Sequence, residues 1–310
     1  CFIFMSVECK VCGQSFKNDK GLHMHISKIH KITLAEYYVN FYQRKDLHSG
    51  DLLPFTNKQD YFIINFLNND NLISWSSYAN PEEVKKYLLE RLSHRIESKK
   101  LKHAPCHTEI VLNELPNIDL YKKFFGSYSK ACEELKIMPL FGRNIMKDFF
   151  KKDDFFKSLK ILIDTREQQP LEFDKSMTMK LDFGDYTLGA PHYDYTYVDR
   201  KSETDFKGTF SAGLDRFKRE LDRAKNFSSY VFVVVESTIE DIIKNNLNSP
   251  YKSNLSYVWH NVREICHEYK GVCQFVFTGG RRQSEEIIPK ILFYGKKLWD
   301  VDLQYFIDKK

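Results

Sequence analysis

Apolar residues follow two different rhythms along this chain, and the change comes near residue 159. Beyond it they gather into short continuous runs: Lys160-Ile161-Leu162-Ile163-Asp164, Tyr195-Thr196-Tyr197-Val198-Asp199, Tyr230-Val231-Phe232-Val233-Val234-Val235-Glu236, and Val272 to Phe277. Runs of this length, rich in β-branched and aromatic residues, read as buried strands. Amphipathic stretches at 204–226, 238–245, 255–269 and 283–297 read as the helices between them. Alternation of strand and helix predicts an α/β domain with a mixed sheet over residues 146–310.

Before residue 145 the period is helical. Pro81-Glu82-Glu83 opens a helix whose apolar positions Val84, Tyr87, Leu88 and Leu92 share one face. Further helices are expected from about Thr108 and through Ser129 to Leu135, giving a small α-helical module over 81–145. Thr33, followed three places later by Glu36, forms a capping-box signature for a helix over 33–46. Residues 49–80 are rich in Asn, Asp, Gly and Ser and carry one apolar burst, Tyr61-Phe62-Ile63-Ile64. With the helix before them they read as a connecting segment, 33–80.

Composition narrows the setting. The chain has 310 residues, 42% hydrophobic and 29% charged, with a formal net charge of +5. That is ordinary for a globular protein and leans basic, as expected where acidic site residues offset basic contact residues in the total. Seven cysteines are present. Five of them (Cys1, Cys106, Cys132, Cys266 and Cys273) show no paired spacing of a disulfide framework, so a reducing, cytoplasmic setting is expected. No apolar run is long enough to span a membrane. Met5 offers an alternative start. His107, His192, His260 and His267 lack ligand spacing with acids or cysteines and read as packed or surface histidines.

Two constellations carry chemistry. The first is Cys9-x2-Cys12-x12-His25-x4-His30 within residues 1–32, a Cys2His2 zinc-finger spacing, with Phe16 and Leu22 as the apolar pair under the metal. His23 stands close by, but the finger spacing favours His25. Counting back from His25, the base-reading positions fall on Asn18, Gly21 and Met24, of which only Asn18 suits a base edge. The finger is therefore expected to grip the DNA backbone through Lys17, Lys20 and Lys28, or to contact protein.

The second is a set of acids closing on one lysine: Asp164-Thr165-Arg166-Glu167, Gly184-Asp185-Tyr186, and Asp199-Arg200-Lys201 followed by Asp205. In a strand, Asp199 and Lys201 lie on the same face. Two carboxylates beside an ammonium suit hydrolysis of a phosphodiester assisted by Mg²⁺ or Mn²⁺. An ordinary reading exists for each piece alone, since Gly-Asp is a common turn and acids are common at strand ends. Their order resembles the nuclease domain of the XPF/ERCC-type structure-specific endonucleases, within the restriction-endonuclease-like PD-(D/E)xK class. That pattern is Gly-Asp, a spacer, Glu-Arg-Lys, three residues and Asp, with Asp-x-Arg-Glu upstream. Here it spans about 160–295, with Asp199 in place of the usual Glu. The resemblance implies metal binding by Asp185 and Asp199, and by Asp164 in support. Lys201 would position water, and Asp205 would be a supporting acid. Arg166, Glu167 and Arg200 would shape the site or touch phosphate. Arg216, Lys218, Arg219 and Arg223 form a basic set on the following helix, either a solvated face or phosphate contacts. Glu236 reads as structural.

The middle stretch Phe125-Gly126-Ser127-Tyr128-Ser129-Lys130-Ala131 resembles the homing-endonuclease-associated repeat, with Tyr128 for the usual Trp and Lys136-Ile137 for the usual Gly-Leu. It implies DNA contacts from Ser127, Tyr128 and Lys130, and the nearby Lys99, Lys100 and Lys102 form a basic connector. An ordinary helical linker is the alternative. The combined expectation is a site-directed, homing-type endonuclease of double-stranded DNA, monomeric or transiently dimeric on DNA, from a phage or other mobile element. A structure-specific nuclease on flap or branched DNA, and a non-catalytic DNA-binding regulator, are the rivals.

Overall fold

The computed structural model describes residues 7–44, 52–58, 61, 69–113, 115–151 and 153–309. Met5, Cys1, most of the 61–64 burst and part of the 33–80 segment lie outside them. The chain forms two compact units, one of residues 1–95 and 114–131, the other of 96–113 and 132–310. The helical stretch 81–145 thus contributes to both. Among the described residues no helix is long and apolar enough to cross a membrane.

In the first unit, β1 (Val7–Glu8) pairs antiparallel with β2 (Ser15–Phe16), and α1 (Asp19–His25) follows. A π-helical turn, Ile26–His30, carries the last ligand histidine and ends at Lys31 in the left-handed region. The expected capping box starts α2 (Leu34–Phe41): Thr33 N–H donates to Glu36 Oε2 at 2.7 Å, and Glu36 N–H donates to Thr33 Oγ1 at 3.1 Å. The finger does not stand alone. Leu22 and Ile26 pack with Tyr37, Tyr38, Leu53 and Tyr61, so α2, Leu53 and Tyr61 cover its apolar side. Two more helices, α3 (Asn69–Ser76) and α4 (Pro81–Lys99), meet through Trp75 and Tyr87.

The second unit takes in the end of α4 and then α5 (His107–Leu112), where Asp302 accepts the His107 N–H at 2.7 Å. In the first unit, α6 (Ile118–Phe125) is held by Tyr121, whose hydroxyl donates to Leu88 O at 3.1 Å, and it ends at Gly126 with φ 82°. The next helix is α7 (Tyr128–Glu134).

The remaining strands are β3 (Ile161–Asp164), β4 (Ser176–Met179), β5 (Tyr186–Leu188), β6 (Thr196–Lys201), β7 (Tyr230–Val235) and β8 (Cys273–Phe277). They form a six-stranded mixed sheet ordered β4-β3-β5-β6-β7-β8, antiparallel only at β3–β5 and β5–β6. Side-chain alternation sorts the core into two layers. On one face Tyr197, Val231, Val233, Val235 and Phe275 meet helices α8 (Glu203–Thr209), α9 (Leu214–Asn226), α10 (Ile239–Asn248) and α11 (Leu255–Glu268). On the other, Ile161, Ile163, Tyr186, Val198, Phe232 and Val276 meet α12 (Arg281–Tyr294) and α13 (Leu303–Ile307). The expected single helix over 204–226 is two helices, because Gly208 and Gly213 bracket a turn in which Gly213 N–H donates to Gly208 O.

Candidate active site and metal centres

The acid–lysine set converges on β5 and β6. Lys201 Nζ lies 2.9 and 2.8 Å from Asp199 Oδ1 and Oδ2, both side chains being on the helix α8/α9 face of the strand. Asp185 enters from the turn before β5. Its N–H donates to Val198 O and its carbonyl accepts the Asp164 N–H, each at 2.8 Å, so its peptide is clamped between β3 and β6. Its Oδ2 accepts the Arg200 N–H at 2.8 Å. The close approach depends on Gly184, at φ +55°, where a Cβ would stand 2.6 Å from Val198 O.

The electrostatics of the pair are unbalanced. Burial, and then the adjacent Asp199 carboxylate, push Asp185 up to about 8, against the pull of the Arg200 N–H and Lys201. Lys201 is held above the usual ammonium value: burial works to lower it, but Asp199 and Asp185 outweigh that. Two carboxylates crowded together, one of them costly to ionise, form an oxygen donor set suited to a hard divalent cation that would complete its shell with water.

The other expected residues divide. Asp164 is buried and already engaged: Oδ1 accepts Arg166 N–H (2.7 Å) and Nε–H (2.6 Å), and Oδ2 accepts Leu181 N–H (2.6 Å) and Arg166 Nη2–H (3.1 Å). Burial presses its pKa upward, but Arg166 and the backbone donors leave it below the ordinary value. Such a carboxylate braces the turn and has little left to offer a cation, which departs from the expected ligand role. Arg200 points to the opposite sheet face. Its guanidinium donates to Glu167 at 2.9 and 3.2 Å and to Glu236 at 2.9 Å, all three side chains being largely buried. Of the two roles expected of Arg200, shaping the site or touching phosphate, this network matches the first. Glu167 sits below its ordinary pKa, because Arg200 and the Gln169 N–H outweigh burial. Asp205 is exposed in the first turn of α8, and among the described residues nothing ties its carboxylate to the pair.

Sequence patterning missed Glu220. From α9 its Oε1 accepts the Gly184 N–H at 3.2 Å. The signal was available: Phe217, Leu221 and Ala224 form the buried stripe of α9, and an acid at 220 lies within that stripe.

Of the expected DNA contacts, Arg216 and Arg219 are exposed on α9, whereas Lys218 pairs with Glu268 at 2.6 Å and Arg223 lies over the Phe183 ring. Arg166 is 62% exposed despite its bond to Asp164. Lys99, Lys100 and Lys102 are exposed, as are Lys17, Lys20, Lys28 and Lys130. Asn18 spends its side-chain oxygen as the α1 cap, accepting the Gly21 N–H at 3.0 Å. Ser127 likewise caps α7, accepting the Lys130 N–H at 3.1 Å. Tyr128 is buried against Tyr121 rather than presented to a ligand.

The second centre is built as the spacing requires. Ligand atoms of Cys9, Cys12, His25 and His30 all lie within 4.8 Å of one another. Cys12 Sγ is 3.2 Å from His25 Nε2, Cys9 Sγ is 3.5 Å from His30 Nε2, and the two Nε2 atoms are 3.0 Å apart. Bonds of about 2.0–2.3 Å to one tetrahedral ion separate ligands by roughly 3.3–3.8 Å, so this donor set fits a single Zn²⁺-sized cation. His23 is elsewhere, with Nε2 2.9 Å from the Tyr38 hydroxyl.

No family model matches the chain, and no curated protein matches it. Among solved structures the chain is similar to XPF from Aeropyrum pernix in complex with DNA, at 18% identity and a TM-score of 0.34. It is also similar to XPF from Aeropyrum pernix alone, at 18% identity and a TM-score of 0.33. The likeness covers 44% of this chain in both comparisons, and 63% and 67% of the two XPF chains respectively.

Proposed function

We propose that this chain is a metal-dependent endonuclease acting on DNA, with Asp185 and Asp199 holding Mg²⁺ or Mn²⁺ and Lys201 positioning the attacking water. The observation that carries this reading is geometric: Asp185, clamped between β3 and β6 with its Oδ2 on the Arg200 N–H, stands beside the Asp199–Lys201 pair, whose Nζ–Oδ2 separation is 2.8 Å. When bound, the cation would polarise the scissile phosphate and favour ionisation of water. The chain's own groups do the rest. Asp199 and Lys201 are held as neighbours by strand alternation, so a water between cation and ammonium would be oriented by Lys201, and the hydroxide left when its proton passes to bulk solvent would be stabilised by both positive charges. Arg166, anchored by Asp164 and still largely exposed, would meet a backbone phosphate. Asp164, Arg200, Glu167 and Glu236 keep the turn and strand in place from beneath.

The remaining modules fit a site-directed enzyme of homing type. The Cys2His2 cluster would hold structural Zn²⁺. The exposed lysines of the finger, those around α4 and α7, and Arg216 and Arg219 would contact the backbone of double-stranded DNA. Several weak contacts on one chain add through effective concentration. With one acid pair per chain, a monomer would nick.

The test is sequencing of the ends released from a randomised duplex pool by the full chain in Mg²⁺ or Mn²⁺, with an EDTA control. Ends recurring at one motif support the homing-type reading. Cutting confined to branched oligonucleotides of any sequence would favour a structure-specific enzyme instead. DNA binding with no cleavage under either cation would leave a binding protein.

A further inference from the structure

Asp185 is pinned by backbone on both sides, but the peptide before it is not. The Asp185 N–H and carbonyl are taken by β6 and β3. The Gly184 N–H, at the point where the chain turns left-handed to reach Val198, meets only Glu220 Oε1 among the described residues. Glu220 belongs to α9, a helix seated on the sheet through Phe217, Leu221 and Ala224. A helix anchored this firmly gives the carboxylate a fixed height above the turn, which a surface loop would not.

We propose that Glu220 is a positioning residue for the acid pair: its carboxylate holds the Gly184 N–H and so fixes the turn that presents Asp185 to the cation. This rests on the nuclease reading above for its functional meaning. The bond needs an acceptor at this position, and the acceptor need not be charged. Glutamine therefore retains the device and alanine removes it.

The experiment compares Glu220→Ala and Glu220→Gln with the parent chain in three measurements. These are amide exchange at Gly184, Mn²⁺ affinity by electron paramagnetic resonance, and DNA cleavage as a function of Mn²⁺. Outer-shell partners of a metal site are worth about 10–100-fold in affinity. Glu220→Ala is expected to speed Gly184 exchange and weaken Mn²⁺ binding at least tenfold, with Glu220→Gln within about threefold of the parent on the same scale. An unchanged Gly184 amide in Glu220→Ala overturns the proposal whether or not the protein cuts DNA. Equal defects in both variants overturn it too, because charge rather than the hydrogen bond would then be at work. If the parent cuts no DNA, yet alanine alone frees the amide and weakens Mn²⁺ binding, the positioning role stands and the nuclease reading falls.

Discussion

Replacing Asp185 by asparagine removes the most costly ionisation in the site while keeping its shape, and its effect on stability has a definite sign. In the folded chain Asp185 is raised from 3.8 to about 8. A carboxyl raised on folding contributes stability at low pH, and that contribution is lost as pH climbs from about 4 through about 8. An upward displacement of about 4 at 1.36 kcal/mol per pH unit sets a ceiling near 6 kcal/mol. Asp185 and Asp199 share the repulsion and Lys201 offsets part of it, so about half of that, ~3 kcal/mol, is the expected cost at pH 8. For a unit of about 200 residues, 1 kcal/mol moves Tm by about 2–4 °C, which gives roughly 6–12 °C. Asp185→Asn should therefore melt higher than the parent at pH 8 in EDTA, and the two should converge at pH 5. Saturating Mn²⁺ should reverse the order, because only the parent keeps both carboxylates for the cation. Differential scanning calorimetry at the two pH values, with EDTA and with Mn²⁺, reads all four cases. An Asp185→Asn variant no more stable than the parent at pH 8 in EDTA would refute the crowded-acid account.

Arg200→Met leaves Glu167 and Glu236 without their hydrogen-bonded cation, with Arg281 nearby at 3.9 Å from Glu236 Oε1. Urea denaturation should show a loss of about 3–5 kcal/mol, the usual cost of breaking one side of a buried pair. A loss below about 1 kcal/mol, as for an exposed pair, would contradict the buried network. His30→Ala should abolish folding of the finger and its α2 cover, seen as lost Co²⁺ thiolate absorption and collapsed proton chemical-shift dispersion for Tyr37 and Tyr38, since a bound ion supplies most of the folding free energy of so small a unit. Unchanged dispersion in the presence of chelator would remove the metal from the account of that fold.

The legible parts of the sequence were those where pattern and packing agree. β3, β6, β7 and β8 are buried on both faces, so their apolar runs announce them. β4 is an edge strand of four exposed residues, Ser176–Met179, and β5 is only three residues long, so neither produces a period to detect. The α8–α9 break was hidden because Phe206, Phe210, Phe217 and Leu221 continue a plausible helical stripe across it. At the site, residue type and strand alternation were enough to bring Asp199 and Lys201 together. They did not reveal which acids would be consumed by N–H donors: Asp164 and Glu167 are chemically equivalent to Asp185 until Arg166 and Arg200 turn toward them. Asn18 and Tyr128 show the same ambiguity, since a side chain fit to touch DNA also caps a helix or fills a core.

Cleavage of duplex and branched DNA by the parent and by Asp199→Ala, in Mg²⁺, Mn²⁺ and EDTA, tests the central claim most directly. The account predicts cation-dependent strand scission by the parent and a loss of at least about 100-fold in Asp199→Ala, the scale of removing one group that stabilises transition-state charge. Equal cutting by a folded Asp199→Ala protein would contradict it.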